Sequence, residues 1–343
     1  MTKKKIIIFG ATGNVGSYLL KYALDYFNPA DYEIIASGRR QTDFFTKRGI
    51  PYYSVDLTHK EDFAKLPTDN IHAVILLSGM LPAYMKGYEP QLYIDSIITG
   101  GYNVLEYCRQ THADRILYSQ TIFDFSAYPH DMLLKADAQP KYKYTGDHVM
   151  YVIAKNAMLD MMEHYYQQYG LKKFVFRFPS IYSYTPDPYY YQDGVKTKRP
   201  LWIMIEKAQK GEPIEIWGDG KYAKDMVHVY DCSQMICRAV EANLEHGIYN
   251  VGTGHPVTME EQVRTIVDVF SPADHRSPIS YLPDKVCWGG FLMDISNAVA
   301  DLGYQPQYDC RLLLEDFKQE MQIQRFRELR CGTVDKSIYS IEQ

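Results

Sequence analysis

The sequence has no surplus of positive charge, no long apolar run and no paired cysteines. Its formal net charge is −5, so the chain lacks the broadly basic composition that nucleic-acid binding favours. Its apolar runs are far shorter than the ~20 residues of a membrane-spanning helix. Its six cysteines are scattered without a C-x-x-C pair, which argues against the disulfide framework of a small secreted protein and indicates reduced thiols.

Metal-binding and targeting signals are also scarce. The sequence has no H-E-x-x-H motif and no cluster of cysteine and histidine, so we expect no metal site. The apolar stretch after three N-terminal lysines stops at Gly10, too early for the apolar core of a signal peptide. We therefore expect a cytoplasmic protein with a small-molecule substrate and with no nucleic-acid or membrane partner.

Tyrosine, by contrast, is abundant, with 31 residues in a chain of 343. Its flat ring and hydroxyl tip suit contacts with sugars and nucleotides, and they equally suit half-buried packing with the hydroxyl in water. A tyrosine is therefore a candidate for function only where its position supports that role.

A strand-like segment near the N-terminus runs directly into a glycine-rich turn. Residues 5–9 are mostly β-branched or aromatic, which predicts a buried parallel strand. The three glycines of the turn permit a tight bend, close approach of backbone amides to a phosphate, and close packing of the next helix. A helix over 14–27 would direct its positive N-terminus at that anion. The pattern predicts a dinucleotide site whose residues are Gly10, Thr12, Gly13, Asn14, Val15 and Gly16.

Strand and helix patterns alternate through the first half of the chain. Such alternation predicts an α/β fold, a Rossmann-type doubly wound parallel sheet with helices on both faces. The predicted strands lie at 5–9, 33–37, 73–77, 115–118 and 174–178, and the longest predicted helices at 91–111, 149–169 and 311–328.

We divide the chain into a large domain, a smaller domain and a tail. The Rossmann domain is predicted at 1–180 with about 225–255, a mostly C-terminal substrate-binding domain at 181–224 with 256–330, and the tail at 331–343. Residues 179–200 are rich in proline, tyrosine and aspartate without a regular period, which favours a substrate-binding loop at the edge of the sheet.

The pair Tyr151 and Lys155 is the strongest candidate for chemistry. Four residues apart within the predicted helix 149–169, the two side chains share one helical face. A neighbouring ammonium stabilises a phenolate and lowers its pKa from about 10, so the tyrosine could take a proton from an alcohol while a nicotinamide accepts a hydride. The same spacing occurs twice more, but a glycine or proline interrupts each of those segments.

Two hydroxyls follow the predicted strand 115–118 at its carboxyl end. Ser119 or Thr121 could hydrogen-bond to a reacting oxygen beside Tyr151, or could cap a turn. We favour Thr121 as the residue that holds the reacting oxygen.

These motifs together resemble a known family. The glycine turn at 10–16, Thr121, Tyr151 and Lys155 are similar to those of the extended short-chain dehydrogenase/reductases, and within them to the NAD(P)-dependent nucleotide-sugar epimerase/dehydratase family. The resemblance covers roughly 5–325. It is extended by the segments 177–182, 216–220, 224–231 and 249–252.

The resemblance implies a role for each matching residue. Tyr151 would be the acid/base, Lys155 would tune it and bind the nicotinamide ribose, and Thr121 would orient a sugar hydroxyl. The implied cofactor contacts are Asp56, Leu57, Leu77, Ser78, Gly79 and Pro179, in addition to Tyr151 and Lys155. The implied substrate contacts are Ser119, Ser180, Tyr182 and Lys224. A homodimer is also implied.

At three positions the sequence departs from the family pattern, and these departures narrow the range of activities that we expect. Lys224 stands where the family often has arginine, and a lysine cannot make the bidentate phosphate contact of arginine. Ile97 stands where asparagine is usual. Thr121 lacks the acidic pair that follows it in the sugar dehydratases, which disfavours dehydration. The favoured function is epimerisation of a sugar nucleotide. The alternatives are NADPH-dependent reduction of a keto-sugar or related carbonyl, and non-catalytic sensing of NAD(P).

The choice of cofactor rests on the end of the second predicted strand. NAD enzymes usually place an acid there for the ribose hydroxyls, whereas this chain has Arg39 and Arg40. Arginines at this place suit the 2′-phosphate of NADP, or are simply solvated. We expect NADP slightly more than NAD, although the epimerases of the family usually hold NAD.

Overall fold

A computed structural model describes residues 2–286 and 290–331, and its strands and helices are named here in chain order. The strands are β1 Lys4–Phe9, β2 Tyr32–Gly38, β3 Tyr52–Ser54, β4 Ile71–Leu76, β5 Arg115–Thr121, β6 Leu133–Leu134, β7 Lys172–Phe178, β8 Ile181–Tyr182, β9 Tyr189–Gln192, β10 Val195–Lys198, β11 Ile214–Trp217, β12 Ala223–Lys224, β13 Val227–His228, β14 His246–Asn250, β15 Val257–Thr258, β16 Ile279–Leu282 and β17 Leu292–Met293. The α-helices are α1 Asn14–Tyr26, α2 Gln91–Tyr93, α3 Gly100–Gln110, α4 Val149–Tyr169, α5 Pro200–Lys210, α6 Val229–Glu241, α7 Met259–Phe270, α8 Ser296–Leu302, α9 Cys310–Ile323 and α10 Arg327–Cys331.

The central sheet has the order β14-β7-β5-β4-β1-β2-β3, and each neighbouring pair in it is parallel. The chain order reverses between β1 and β4, so the connections leave these strands in opposite directions. In open α/β sheets the crevice at such a reversal is where ligands bind. The sheet confirms the predicted Rossmann-type fold class.

Both faces of the sheet are buried, which explains the unbroken apolar run of β1. Helices α1 and α6 pack on one face, around Leu20 and Ile236. Helices α3 and α4 pack on the other face, around Val104 and Met158. Since both faces exclude water, Ile6, Ile7 and Ile8 of β1 are all fully buried.

A third core lies outside the sheet. It joins Trp202 and Ile205 of α5, Ile266 of α7, and Leu313 and Phe317 of α9. The division of the chain into a Rossmann domain and a substrate-binding domain remains a prediction. All but the first residue of the predicted tail 331–343 lies outside the described residues.

Two predicted helices differ from the structure. The helix expected at 91–111 is divided by a π-helical turn, Ile94–Thr99, where Ser96 Oγ accepts a hydrogen bond of 2.9 Å from the Met80 amide. The helix expected at 311–328 ends at Ile323 because Gln324 adopts a left-handed conformation with φ 49°. Over the described ranges, no helix has the length and apolarity needed to cross a membrane.

Candidate active site

The glycine turn after β1 is packed so closely that side chains would not fit. Gly10 has φ +94°, and a Cβ on it would lie 3.1 Å from the Ser78 amide nitrogen. A Cβ on Gly16 would lie 2.1 Å from the Gly10 carbonyl oxygen. Gly13 is the N-cap residue of α1 and has no side chain with which to cap the amides of the first turn. Uncapped amides at a helix N-terminus beside a Cβ-free turn fit a pyrophosphate.

The ends of neighbouring strands lie around this turn. Ser37 at the end of β2 accepts hydrogen bonds from the amides of Gly10 and Ala11, of 2.9 and 3.0 Å. A Cβ on Gly38 would lie 2.8 Å from Thr12 Oγ1. The Leu77 amide donates to the Phe9 carbonyl at 3.0 Å. The structure therefore brings the predicted residues Gly10, Thr12, Leu77, Ser78 and Gly79 to one edge of the sheet.

The remaining predicted cofactor residues have other local partners. One carboxylate oxygen of Asp56 accepts from the amide and hydroxyl of Thr58, at 3.0 and 2.8 Å. The carbonyl of the buried Leu57 accepts from Asn103 at 2.8 Å. Val15 packs against the core of one sheet face.

Asn14 connects the turn to a segment that the sequence analysis did not assign to the cofactor. Its Nδ2 donates to Ser183 Oγ at 2.6 Å. Its Oδ1 is buried without a hydrogen-bond partner among the residues that the structure describes. A buried acceptor left unpaired is costly, which fits an atom whose partner is a ligand.

Tyr151, Lys155 and Thr121 meet at the carboxyl end of β5. All three are buried, with 6%, 3% and 5% of their surface exposed. The Thr121 hydroxyl lies close enough to the Tyr151 phenol to influence its pKa, and Thr121 Oγ1 accepts a hydrogen bond from the Phe123 amide at 3.2 Å. Lys155 Nζ donates to the Ser119 carbonyl at 2.6 Å and lies 3.5 Å from Ser119 Oγ. The four predicted residues thus form one cluster, with the phenol and a hydroxyl in direct contact.

The electrostatics of the cluster differ from the sequence-based expectation. Burial raises the pKa of the Tyr151 phenol well above its ordinary value, and the neighbouring Thr121 hydroxyl opposes this rise. Burial lowers the pKa of Lys155 to about 7, and its Nζ is 5.8 Å from the Tyr151 ring centre. In this arrangement the Thr121 hydroxyl, rather than Lys155, lowers the pKa of the phenol. Desolvation of both groups outweighs their mutual interaction.

A buried ion pair between Arg177 and Asp124 lies next to the strand end that carries Thr121. Arg177 Nε is 3.1 Å from both carboxylate oxygens of Asp124, and the two side chains are almost fully buried. Arg177 also donates to the Ala136 carbonyl at 2.9 Å and to Asn250 Oδ1 at 3.1 Å. The network joins β7, β14 and the turn after β5, so it fixes the strand end that carries Thr121.

Replacing Arg177 by methionine is expected to destabilise the protein by about 3–5 kcal/mol, because it leaves the Asp124 carboxylate buried without a cation. Burial already raises the pKa of Asp124, against the opposing effect of Arg177. Because the pKa of Asp124 in the folded parent is about 6, its carboxylate is charged above that pH, and the penalty for removing its cation grows as pH rises through that value. Urea unfolding at pH 5 and pH 7 measures it. The double variant Arg177→Met with Asp124→Leu should recover most of the loss; a single variant as stable as the parent would contradict this account.

Of the predicted substrate residues, Ser180 and Tyr182 follow the end of β7, whereas Ser119 lies within β5 and Lys224 in β12. Phe178 is in register with Thr121, so the half-buried Pro179 and the exposed Ser180 continue from the strand beside the cluster. Tyr182 and Lys224 are brought together, with Lys224 Nζ 5.9 Å from the ring centre. A cation beside an aromatic ring at a sheet edge can hold a phosphate and a base or sugar ring.

Arg39 and Arg40 are arranged differently from one another. Arg39 is exposed. The Arg40 guanidinium donates to the carbonyl of Leu329 in α10. Arg40 is therefore engaged within the protein, which weakens the argument for NADP.

A model of the NAD dependent epimerase/dehydratase family matches residues 6–252. This chain belongs to that family. The sequence-based assignment to the extended short-chain dehydrogenase/reductases is confirmed, and the protein is an enzyme of the epimerase/dehydratase type.

Individual relatives are distant but extend over most of this epimerase-family enzyme. UDP-glucuronate 4-epimerase of Thermodesulfobacterium geofontis is 26% identical over 307 residues, which cover 85% of this chain and 87% of the relative. The structure of Thermotoga maritima UDP-glucose 4-epimerase with UDP-glucose has a TM-score of 0.72 and 20% identity, and covers 92% of this chain and 99% of its own.

A second solved structure holds a cofactor as well as a substrate. It is UDP-glucuronic acid 4-epimerase of Bacillus cereus with UDP-glucuronic acid and NAD, with a TM-score of 0.72 and 17% identity over 93% of this chain and 99% of that one. At this identity the likeness shows the fold. The neighbour holds NAD, and the comparisons give no support to the NADP preference drawn from Arg39 and Arg40.

Proposed function

We propose that this enzyme is an NAD-dependent 4-epimerase of a nucleotide sugar, working by transient hydride transfer and by acid/base catalysis at Tyr151. The observation that carries the proposal is the buried contact between Tyr151 and Thr121 at the carboxyl end of β5. It lies on the same sheet edge as a turn shaped for a pyrophosphate. Family membership and the 4-epimerases among the relatives support the reaction class.

The residues of the site would hold the cofactor along the sheet edge. The turn 10–16 would bind the pyrophosphate through backbone amides, the loop after β3 would hold the adenine, and Lys155 would bind the nicotinamide ribose. When bound, the nicotinamide supplies the acceptor and donor of hydride, and its positive charge favours the phenolate.

Tyr151 and Thr121 would have different roles at the substrate hydroxyl. Thr121 would hold the reacting oxygen, and Tyr151 would remove its proton and later return it. Because both side chains are buried, bulk water would be kept from the oxidised sugar while its ring turns over. Ser119, Ser180, Tyr182 and Lys224 would contact the nucleotide sugar. The homodimer and the cytoplasmic location stay predictions.

Lysine in place of arginine at position 224 affects how the diphosphate of a substrate would bind. Lys224 provides a single point charge for a phosphate, without the planar fork of a guanidinium. We therefore expect binding of the diphosphate to be more sensitive to salt than binding through a buried arginine.

The experiment combines identification of the bound nucleotide with a substrate panel. Mass spectrometry of the purified protein should find NAD, and incubation with UDP-glucose, UDP-glucuronic acid and UDP-N-acetylglucosamine without added cofactor should convert one of them into its 4-epimer. Conversion that requires stoichiometric NADPH would instead identify the reductase. Binding of NAD without conversion of any nucleotide sugar or carbonyl would favour the sensing protein.

A further inference from the structure

The C-terminal segment Phe326–Arg330 packs on the side of the Rossmann fold where the adenosine end of a dinucleotide lies. We propose that this segment determines cofactor specificity: it holds Arg40 on a backbone carbonyl and so withdraws from the ribose the guanidinium that would bind a 2′-phosphate. The inference rests on the proposed dinucleotide-binding function. It assigns the preference for NAD over NADP to a part of the chain outside the glycine motif.

The segment is anchored by apolar contacts. Phe326 packs edge-on against Tyr18 of α1, with ring centres 4.8 Å apart, and lies 6.2 Å from the ring of Phe44. Phe326 and Leu329 are buried, with 8% and 1% of their surface exposed. Burial of two large apolar side chains makes this a packed element.

Arg330 connects the segment Phe326–Arg330 to α1 and to the chain that follows β8. Its Nη1 donates to the Tyr184 carbonyl at 2.7 Å, and its Nη2 donates to Ser17 Oγ at 3.1 Å. Ser17 belongs to α1, and Tyr184 follows Ser183, which hydrogen-bonds to Asn14 at the start of α1. The segment is therefore built onto the helix that follows the phosphate-binding turn.

Arg40 is held at both its backbone and its side chain. The Tyr52 hydroxyl donates to the carbonyls of Gly38 and Arg40, which fixes the turn after β2. The Arg40 guanidinium then donates to the carbonyl of Leu329. The end of β2 is where Rossmann proteins recognise the 2′ position of the ribose, and Gly38 lies against Thr12 of the phosphate-binding turn.

Among the residues that the structure describes, this arrangement gives a 2′-phosphate no buried, unengaged cation at the end of β2. The Leu329 carbonyl engages Nη1 of Arg40, so a charge-assisted bond from that atom to a phosphate would only replace an existing hydrogen bond. Arg39 is exposed, so water and salt screen its charge. NAD needs neither arginine, because its adenosine ribose carries a hydroxyl at the 2′ position, where NADP carries a phosphate.

The test is a competition between the two cofactors on the full chain. Each variant is incubated with an equimolar excess of NAD and NADP, passed through gel filtration, and analysed by mass spectrometry for the nucleotide retained. The variants are Arg40→Gln, Arg330→Gln and the two combined. The control is Lys47→Gln, since Lys47 pairs with Asp43 at 2.7 Å on the same loop and both side chains are exposed.

We expect the parent protein and Lys47→Gln to retain about tenfold more NAD than NADP. Arg40→Gln should leave this ratio unchanged within about twofold, because the side chain is already engaged. Arg330→Gln should loosen the segment, free Arg40 and raise the share of NADP about fivefold. The double variant should return to the parent ratio.

Three outcomes would overturn the proposal. One is a parent protein that prefers NADP. Another is a fall in the NADP share of about tenfold in Arg40→Gln, which would mean that Arg40 already binds the 2′-phosphate. The third is a folded Arg330→Gln protein, verified by circular dichroism, whose ratio is unchanged. If Arg330→Gln does not fold, Arg40→Gln alone decides. Failure of every protein, the parent included, to retain either nucleotide would instead remove the proposed function itself.

Discussion

Replacing Tyr151 by phenylalanine is expected to lower the rate of epimerisation by about 10²–10⁴-fold, the usual contribution of a positioned acid/base. The phenol is buried beside Thr121, so its loss removes the group that exchanges the proton while the ring still fills its place. Initial rates with the UDP-sugar that the parent protein converts measure the effect. Retention of NAD, followed by mass spectrometry, should be nearly unchanged.

The chain supplies a matched control for this substitution. Tyr169 also has a lysine four residues further on, but it is the last residue of α4, and its ring is half exposed. Tyr169→Phe should therefore retain full activity. Equal rates in Tyr151→Phe and the parent would show that another group exchanges the proton.

Replacing Gly16 by alanine is expected to weaken NAD binding by at least about 100-fold, because the new methyl group cannot be accommodated without moving the turn. A Cβ there would lie 2.1 Å from the Gly10 carbonyl oxygen and 2.7 Å from its carbon. Backbone atoms are on both sides of the contact, so no side-chain rotation relieves it. Retention of NAD and thermal unfolding together measure the change.

The control for the glycine substitution is Gly87→Ala. A Cβ on Gly87 would meet nothing within 4 Å, so this variant should bind NAD like the parent. Normal NAD retention by a folded Gly16→Ala protein would contradict the assignment of the turn to the pyrophosphate.

The parts of the site that adjoin in sequence could be predicted from the sequence. The strand-like runs in the sequence end within a few residues of the ends of β1 and β5. Gly10 and Thr121 therefore lie at strand ends, as the sequence predicts. The four-residue spacing of Tyr151 and Lys155 defines one helical face without knowledge of the rest of the fold. Parallel strands then bring these ends to one edge.

Contacts between distant segments had no such local signal. Nothing in the neighbourhood of Asn14 indicates its bond to Ser183, and nothing near Arg40 indicates Leu329. The break at Gln324 lacks a glycine or proline, so the sequence predicts one helix where the structure has α9 and α10. The pKa shifts of Tyr151 and Lys155 were also missed, because burial is set by the whole fold and outweighs the spacing.

One missed element did carry a signal. The strands β9 and β10 form an antiparallel hairpin within the predicted loop 179–200. Asp193 and Gly194 turn it, with φ of 49° and 75°. An Asp-Gly pair between strand-forming residues favours such a turn. The many prolines nearby instead favoured the interpretation of 179–200 as a loop.

The most direct test of the proposed hydride transfer is epimerisation in deuterium oxide. Because the same hydrogen leaves the sugar and comes back to its other face, the product should carry no deuterium on the inverted carbon, and no net cofactor should be consumed. Proton magnetic resonance of the product decides this. Deuterium on that carbon would show exchange with solvent and would contradict the mechanism proposed for this enzyme.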